Sequence, residues 1–285
     1  MVTLTEYAYA KINLTLDILG KREDGYHDLK SVMQTVSLCD IVQMDIGTGK
    51  PWCLTCSRPD IPCDERNLAW KAARLFCDTL QKDPGGLAIR IEKNIPSGAG
   101  MGGGSADAAA VLRALNRYYD SPLSLEELAQ LSARIGSDIP FCVVGGTVMC
   151  EGRGEIMRKL KACPKFILVG CKPEFSVSTP ALFRKIDSVD IIDHPDNDAM
   201  ELAIEQGDLP AIIREIYNVF DPVVSEEHPE ISHIKTVCHS WGAAASQMTG
   251  SGSVVFAVMT DMESAEKACA ELKKIYPQVF IAEPV

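Results

Sequence analysis

The sequence has no apolar run long enough to cross a bilayer. The longest such stretch, residues 139–150, is interrupted by Gly145 and Gly146 and falls short of the ~20 residues that a spanning helix needs. The N-terminus shows neither the basic and apolar segments of a signal peptide nor an Arg/Ser-rich transit segment. These absences predict a cytoplasmic protein that does not associate with membranes.

Positive charge is also scarce. The 28 Lys and Arg residues face 39 Asp and Glu residues, which gives a formal net charge of −11. A surface of this sign repels polyanions, so nucleic acid polymers and anionic membranes are not expected partners. A small phosphorylated ligand held in one locally positive pocket remains compatible with this charge.

The 11 cysteines lack the repeated spacing of a disulfide framework or a zinc site. Cys53-Leu-Thr-Cys56, with Cys63 nearby, comes closest to a metal-binding pattern, but no second pair of ligands follows it. A chain of 285 residues can bury a large core without such cross-links. We therefore interpret the cysteines as reduced, mostly buried apolar residues and predict no metal site, leaving the role of this cluster open.

Hydrophobic periodicity predicts an α+β chain without regular βαβ alternation. Residues near 159–164 separate two predicted domains, 1–160 and 161–285. Asn67 and the Ser124/Glu127 pair are predicted to cap two helices, and Thr260/Glu263 a third. Helices are predicted over 67–81, 106–115, 124–135, 179–186, 199–205, 210–217, 231–239 and 262–276, and strands over 3–17, 29–46, 87–92, 143–150, 166–171, 253–259 and 279–282.

Five glycines between Gly98 and Gly104 separate a predicted strand from an amphipathic helix. This arrangement directs main-chain N–H groups and the positive end of the helix dipole at one point, where an anion can bind. The loop also fits the dinucleotide pattern G-x-G-x-x-G, but the acidic residues about twenty positions on, Asp120 and Glu126, fall in a turn and a helix instead of at a strand end. Walker A and protein-kinase signatures are absent. The loop therefore predicts a phosphate site of another type.

Three further segments accompany this loop: Lys11 in an apolar strand, Asp138 between Gly136 and Pro140, and the tight turn Gly250-Ser-Gly252 before a strand. Together with the loop they resemble the GHMP kinase superfamily, and the resemblance runs nearly end to end. It implies a two-domain α+β fold with mixed and antiparallel sheets, flanking helices and an active site in the cleft between the domains.

The turn Asp24-Gly-Tyr-His27, with Lys11-Ile-Asn before it and Met33-Gln-Thr-Val after it, is similar to the branch of the superfamily that acts on a cytidine diphosphate-bearing polyol. That resemblance implies ATP-dependent phosphorylation of the 2-hydroxyl of 4-diphosphocytidyl-2-C-methyl-D-erythritol, in the non-mevalonate route to isoprenoid precursors, by a monomer or a homodimer. A homoserine or sugar kinase of the same superfamily, a non-catalytic nucleotide-binding protein and a Rossmann dehydrogenase remain alternatives.

The resemblance also implies roles for individual residues. Asp138 is the expected general base, with Lys11 beside it to favour its ionised form. Tyr26 and Phe183 are expected to sandwich the cytosine, and His27 to hydrogen-bond its edge. Mg²⁺ is expected with ATP, held by phosphates and water, with no protein ligand assigned. Asn197-Asp198 is similar to a family Asn-Asp pair, or else caps a helix. The expected ATP-binding residues are Pro96, Gly98, Gly100, Gly102, Gly103, Gly104 and Ser105, and the further substrate contacts are Asn13, Thr179, Gly250, Ser251 and Gly252.

Overall fold

The computed structural model describes all residues from 1 to 285 and contains ten helices and twelve strands. The helices are α1 (Leu68–Leu80), α2 (Gly103–Tyr118), α3 (Leu125–Ser132), α4 (Ile139–Val144), α5 (Thr179–Ile186), α6 (Asn197–Gln206), α7 (Leu209–Arg214), α8 (Phe220–Glu227), α9 (Pro229–Ser240) and α10 (Met262–Leu272). The strands are β1 (Val2–Asn13), β2 (Thr15–Lys21), β3 (His27–Ile46), β4 (Cys53–Cys56), β5 (Leu87–Glu92), β6 (Thr147–Gly152), β7 (Ile156–Lys159), β8 (Ile167–Lys172), β9 (Tyr217–Asn218), β10 (Ala243–Met248), β11 (Val255–Met259) and β12 (Gln278–Ala282). None of the helices is long and apolar enough to cross a membrane.

The chain forms two compact units that do not follow its linear order. The first unit comprises residues 1–10, 38–97 and 102–145, and the second comprises residues 11–37, 98–101 and 146–285. The linear division into domains 1–160 and 161–285 stays a prediction.

In the first unit, the C-terminal part of β3 pairs antiparallel with β5, from Ile41 opposite Glu92 to Ile46 opposite Leu87. Strand β4 continues this sheet in parallel with β5. Alternate residues of β5 are buried, as its apolar–polar alternation predicts. Helix α1 packs on α2, and α4 packs on both α2 and α3. The core contains the buried faces of these helices and places the start of α2 beside the end of β5.

In the second unit, the N-terminal part of β3 pairs antiparallel with β2 and β6, and β2 also pairs in parallel with the short β9. A separate antiparallel sheet has the order β10-β11-β8-β12. Helices α9 and α10 pack on this sheet around a core that includes Phe220, Ile234 and Leu272. The combination of a mixed and an antiparallel sheet with flanking helices confirms the predicted α+β architecture.

Most predicted elements and two of the three predicted caps are confirmed. The Asn67 side chain accepts from the N–H of Ala69, and Ser124 with Glu127 forms a complete capping box. The third cap was wrong, because Asp261 and not Thr260 caps α10, accepting from the N–H of Ser264. Helix α8 was not predicted, although it lies where an Asp-Pro pair follows Phe220.

The strand predicted over residues 143–150 was half wrong. Residues up to Val144 belong to helix α4, and β6 begins only at Thr147. A short apolar run does not distinguish strand from helix by periodicity, and Pro140 in the first helical turn favours the helix. Gly145 and Gly146, both with positive φ, then end it.

Candidate active site

The glycine loop adopts backbone conformations that side chains disfavour. Gly98, Gly100 and Gly102 have φ of +61°, +74° and +70°, in the left-handed region that glycine occupies without steric cost. Gly102 is the N-cap of α2, and no side chain caps this helix start. The first turn of α2 also carries no acidic residue. Main-chain N–H groups at a helix start of this kind suit an anion.

The first part of this loop lies directly on the turn that follows β10. A Cβ atom on Gly100 would lie 2.2 Å from the carbonyl oxygen of Thr249, and one on Gly250 would lie 2.7 Å from that of Gly100. The N–H of Val254 donates to the carbonyl of Ala99 at 3.2 Å. The two glycine segments therefore pack main chain against main chain, and a larger residue at either position would separate them.

Buried polar side chains hold this turn in place. The amide of Asn218 donates to the carbonyls of Met248 and Gly250, at 2.7 and 2.9 Å. The carboxylate of Asp221 accepts from the N–H of Met248 at 2.6 Å. Neither residue was identified from the sequence, because an Asn and an Asp near the start of an unpredicted helix carry no distinguishing pattern.

Lys11 is buried at 3% exposure, although lysines in strands usually extend to solvent. Its ammonium donates to Asn13 Oδ1 at 2.8 Å, and Asn13 Nδ2 donates to Ser31 Oγ at 2.8 Å. A Cβ atom on Gly250 would lie 3.2 Å from Lys11 Nζ. The structure thus brings Lys11 and Asn13 together beside the Gly250 turn.

Asp138 lies in the first unit, at the N-cap of α4, and is half-buried. Its backbone is in the right-handed helical region, with φ −84° and ψ −11°, and its carboxylate makes no capping hydrogen bond to the helix. The residue therefore lies in the turn that precedes α4, but its side chain does not cap the helix.

His27 lies between an aromatic ring and a carboxylate. Its Nε2 is 2.7 Å from Asp187 Oδ1, and its ring stacks on that of Phe183 with centroids 4.8 Å apart. Lys21 also pairs with Asp187, at 2.5 Å. Hydrogen bonds from Lys21 and then His27 lower the pKa of Asp187, so its carboxylate stays ionised. A surface cavity of about 270 Å³ borders these groups and is lined further by Leu19, Ile186, Val189 and Ile191.

Tyr26 is 55% exposed. The guanidinium of Arg153 lies over its ring, 4.9 Å from the centroid, in cation–π geometry. Its N–H donates to Asp24, and this bond lowers the pKa of the Asp24 carboxyl. The ring stacked on Phe183 is that of His27, so the cytosine sandwich between Tyr26 and Phe183 stays a prediction.

Two other predicted contacts are brought together. The hydroxyl of Thr179, at the start of α5, lies 2.8 Å from that of Ser251 in the Gly250 turn. Asn197 is buried and accepts from the Thr15 hydroxyl at 2.6 Å. The residue that caps α6 is Asp196, not Asn197 or Asp198.

Sequence reasoning missed a buried group of charges beside the start of α2, formed by Asp40, Lys93 and Asp107. A signal was present, because Asp107 interrupts an otherwise apolar face of the helix. Nowhere do three His, Cys, Asp or Glu side chains converge in a way that could hold a metal ion, Cys53, Cys56 and Cys63 included. No disulfide bond joins any of the 11 cysteines, and six of them are buried.

Known proteins resemble this chain over nearly its whole length. Residues 67–146 match the family of the GHMP kinases N terminal domain, and residues 200–278 match GHMP kinases C terminal. A 4-diphosphocytidyl-2-C-methyl-D-erythritol kinase of Clostridium botulinum (strain Eklund 17B / Type B) is 43% identical over 279 residues, which cover 98% of this chain and 99% of the relative. The chain belongs to this kinase family.

Solved structures agree with that membership. A crystal structure of 4-(cytidine 5'-diphospho)-2C-methyl-D-erythritol kinase is 29% identical, with a TM-score of 0.82 over 99% of both chains. A homoserine kinase from Cytophaga hutchinsonii is 18% identical, with a TM-score of 0.75 over 98% of this chain and 94% of the other. The second likeness shows the shared fold alone.

Proposed function

We propose that this chain transfers the γ-phosphoryl group of ATP to the 2-hydroxyl of 4-diphosphocytidyl-2-C-methyl-D-erythritol, in the non-mevalonate route to isoprenoid precursors. The observation that carries the proposal is the 43% identity, over nearly the full length of both chains, to a kinase of that name. Homoserine kinase resembles the chain in fold only. As part of the proposal, the enzyme acts in the cytoplasm as a monomer or homodimer and, at a net charge of −11, binds no nucleic acid polymer.

The nucleotide side of the site uses main chain in place of charged side chains. Gly98, Gly100 and Gly102 have backbone conformations that glycine tolerates, and the start of α2, which no side chain caps, supplies N–H groups without an acidic residue in its first turn. These donors suit the triphosphate, whose positioning and charge stabilisation make up most of the catalytic work in phosphoryl transfer. Pro96 and Ser105 border this loop in the proposal.

Mg²⁺ accompanies ATP in this proposal. The residues present include no cluster of three acidic or imidazole ligands, which fits an ion held mainly by phosphate oxygens and water. It would neutralise phosphate charge during transfer.

Asp138 accepts the proton of the attacking hydroxyl in the proposed reaction. The ammonium of Lys11, held by Asn13 at 2.8 Å, offsets negative charge that builds up during transfer. Both assignments rest on the family resemblance of these two positions.

The pair His27–Asp187 gives a physical reason for preferring cytosine. An ionised Asp187 can only accept, so Nε2–H of His27 donates to it, and an imidazole whose one proton is on Nε2 has an acceptor at Nδ1. The amino group of cytosine is a donor, whereas uracil presents a carbonyl acceptor at the same position. The proposed pairing of His27 Nδ1 with the cytosine amino group would therefore disfavour a uridine analogue.

A coupled assay for ADP tests the proposal with ATP and a panel of acceptors: the cytidine substrate, its uridine analogue, homoserine and mevalonate. We expect turnover with the cytidine substrate alone, and much weaker turnover with the uridine analogue. Turnover of homoserine without turnover of the cytidine substrate would reject the assignment.

Asp138→Asn tests the proposed base within the same assay. Loss of a general base lowers kcat by about 10²–10⁴-fold, while the Kd for ATP should stay within about twofold of the wild-type value. Near-normal kcat would remove Asp138 from the mechanism without affecting the assignment of the substrate.

A further inference from the structure

Three buried charged residues meet in the first unit. The ammonium of Lys93, which follows β5, donates to Asp40 Oδ2 and, at 2.7 Å, to Asp107 Oδ2. The side chains of Lys93, Asp40 and Asp107 are 5%, 0% and 4% exposed, respectively. The electrostatic attraction of the two carboxylates raises the pKa of Lys93 despite its burial, so the lysine is charged.

This cluster lies immediately behind the start of α2. A Cβ atom on Gly103, the first residue of the helix, would lie 3.3 Å from Lys93 Nζ and 3.1 Å from Ile95 Cγ2. Asp40 Oδ1 accepts from the N–H groups of Asn94 and Ile95, at 2.6 and 2.8 Å. Lys93 thus ties the segment that enters the glycine loop to the helix that leaves it.

The cluster is not built for stability alone. Asp107 Oδ1 is buried and has no hydrogen-bond partner. Buried ion groups with an unsatisfied atom are poor stabilisers compared with apolar side chains of the same volume. Their position against a helix start points instead to control of that helix start.

We propose that Lys93, acting with Asp40 and Asp107, is a positioning residue for the first turn of α2 and sets the local charge that the ATP phosphates meet. This inference rests on the proposed function of the glycine loop. It adds a buried charge cluster to a site otherwise made of main-chain donors.

Asp107 makes this local charge depend on pH. Burial raises its pKa to about 7, against the opposing effect of Lys93 and with a further rise from the charge of Asp40. Cys56 on β4 and Cys39 on β3, next to Asp40, are the other titratable groups that interact with the cluster, and burial raises the pKa of both thiols, so they stay neutral. The buried faces of α3 and α4 carry no titratable residue. Loss of the Asp107 proton above about pH 7 therefore adds one negative charge to the cluster.

A negative charge close to the phosphates weakens their binding. ATP should consequently bind more weakly to the wild type as pH rises through about 7. In Asp107→Asn the side chain at position 107 is neutral at all pH values, so this part of the pH dependence of ATP binding should disappear. Titration of the ATP phosphates changes the Kd of wild type and variant alike, so the ratio of the two Kd values reports the effect of Asp107.

The first arm measures the Kd for ATP by calorimetry without acceptor, together with kcat and both KM values. Lys93→Met should raise the Kd and KM for ATP by about tenfold or more while the KM for the acceptor stays within about twofold, and Lys93→Arg should recover most of the loss. Leu112→Ala is the matched control, since Leu112 is fully buried in the same helix but, five residues after Asp107, lies off the helix face that carries the cluster, and its truncation lowers stability. Equal effects of Lys93→Met and Leu112→Ala on ATP binding would overturn the proposal.

The second arm follows the Kd for ATP from pH 5.5 to 8.5 in the wild type and Asp107→Asn. A several-fold pH-dependent difference between the two proteins is expected, and parallel profiles would overturn the proposal. If Lys93→Met does not fold, this arm alone decides. A wild type that binds no ATP would instead refute the proposed function, so the two failures are distinguishable.

Discussion

Asp107 and Asp221 are both buried aspartates that face a lysine, and each lies behind a glycine segment of the candidate site. Asp221 Oδ1 accepts from Lys235 at 2.6 Å and from Ser225 at 2.9 Å, and its Oδ2 accepts from the N–H of Met248 at 2.6 Å. Asp107 has Lys93 on one oxygen and no partner on the other. Both carboxylate oxygens of Asp221 therefore accept hydrogen bonds in the second unit, whereas only one oxygen of Asp107 does so in the first unit.

The difference separates two ways of supporting a glycine turn. The donors around Asp221 fix the end of β10, from which the Gly250 turn begins. Asp107 lacks such donors, and its pKa of about 7 lets it exchange a proton near neutrality. We conclude that the first carboxylate serves as a fixed anchor and the second as an adjustable charge.

Removing the fixed anchor should have the largest effect on stability. Asp221→Ala leaves the N–H of Met248 buried without its acceptor and the partly exposed ammonium of Lys235 without its partner. We expect a loss of about 3 kcal/mol, the lower end of the cost of breaking a buried pair on one side, because the Lys235 side chain is 23% exposed. Urea unfolding monitored by circular dichroism measures this loss. Ser225→Ala, which removes one neutral donor only, should cost about 1 kcal/mol. A loss below that in Asp221→Ala would mean that the anchor is not needed.

Disturbing the contact between the two glycine segments should have the next largest effect. Gly100→Ala forces a side chain into φ +74° and places its Cβ 2.2 Å from the Thr249 carbonyl, at a cost of about 1–3 kcal/mol in backbone strain alone. The KM for ATP should rise with it. Gly20→Ala is the control, because Gly20 lies on β2, outside the glycine loop, and a Cβ there would meet nothing within 4 Å. Equal KM values in the two variants would show that this contact does not position the loop.

The sequence was most informative where one residue type is required by local geometry. Asn67 and the Ser124–Glu127 box were predicted as caps because few side chains satisfy a helix start. The glycine loop was found for the same reason, since its positive φ angles exclude other residues at low cost. Such positions can be predicted from the local sequence, without knowledge of the rest of the fold.

Contacts between distant segments could not be predicted in this way. Asp40 and Lys93 meet across 53 positions, and His27 meets Asp187 across 160. Nothing local distinguishes Asp40, Lys93 or Asp187 from surface charges, because their environment depends on the packing of the whole unit. The first half of the strand predicted over 143–150 was wrong for a related reason: a short apolar run is compatible with both helix and strand until Pro140 and its neighbours are placed.

The smallest expected effect is that of Asp107→Asn on the free energy of unfolding. It sharpens the comparison most, because above pH 7 this variant should be stabilised, whereas Asp221→Ala should be destabilised. A carboxyl whose folded pKa is about 7, against an ordinary 3.8, contributes stability that is fully present below about pH 4 and is lost as pH rises to about 7. Asp107→Asn removes that loss, so its stability relative to wild type should rise between pH 4 and 7 and stay above the wild-type value at pH 8.

Urea unfolding at pH 5 and pH 8 on both proteins measures this difference, and Asp221→Asn provides the contrast. The satisfied carboxylate of Asp221 should give a destabilised variant at both pH values, because Met248 and Lys235 then lose a charged acceptor. If Asp107→Asn were instead destabilised equally at both pH values, Asp107 would be a second fixed anchor. The charge of the cluster of Lys93, Asp40 and Asp107 beside the glycine loop would then not change with pH near neutrality.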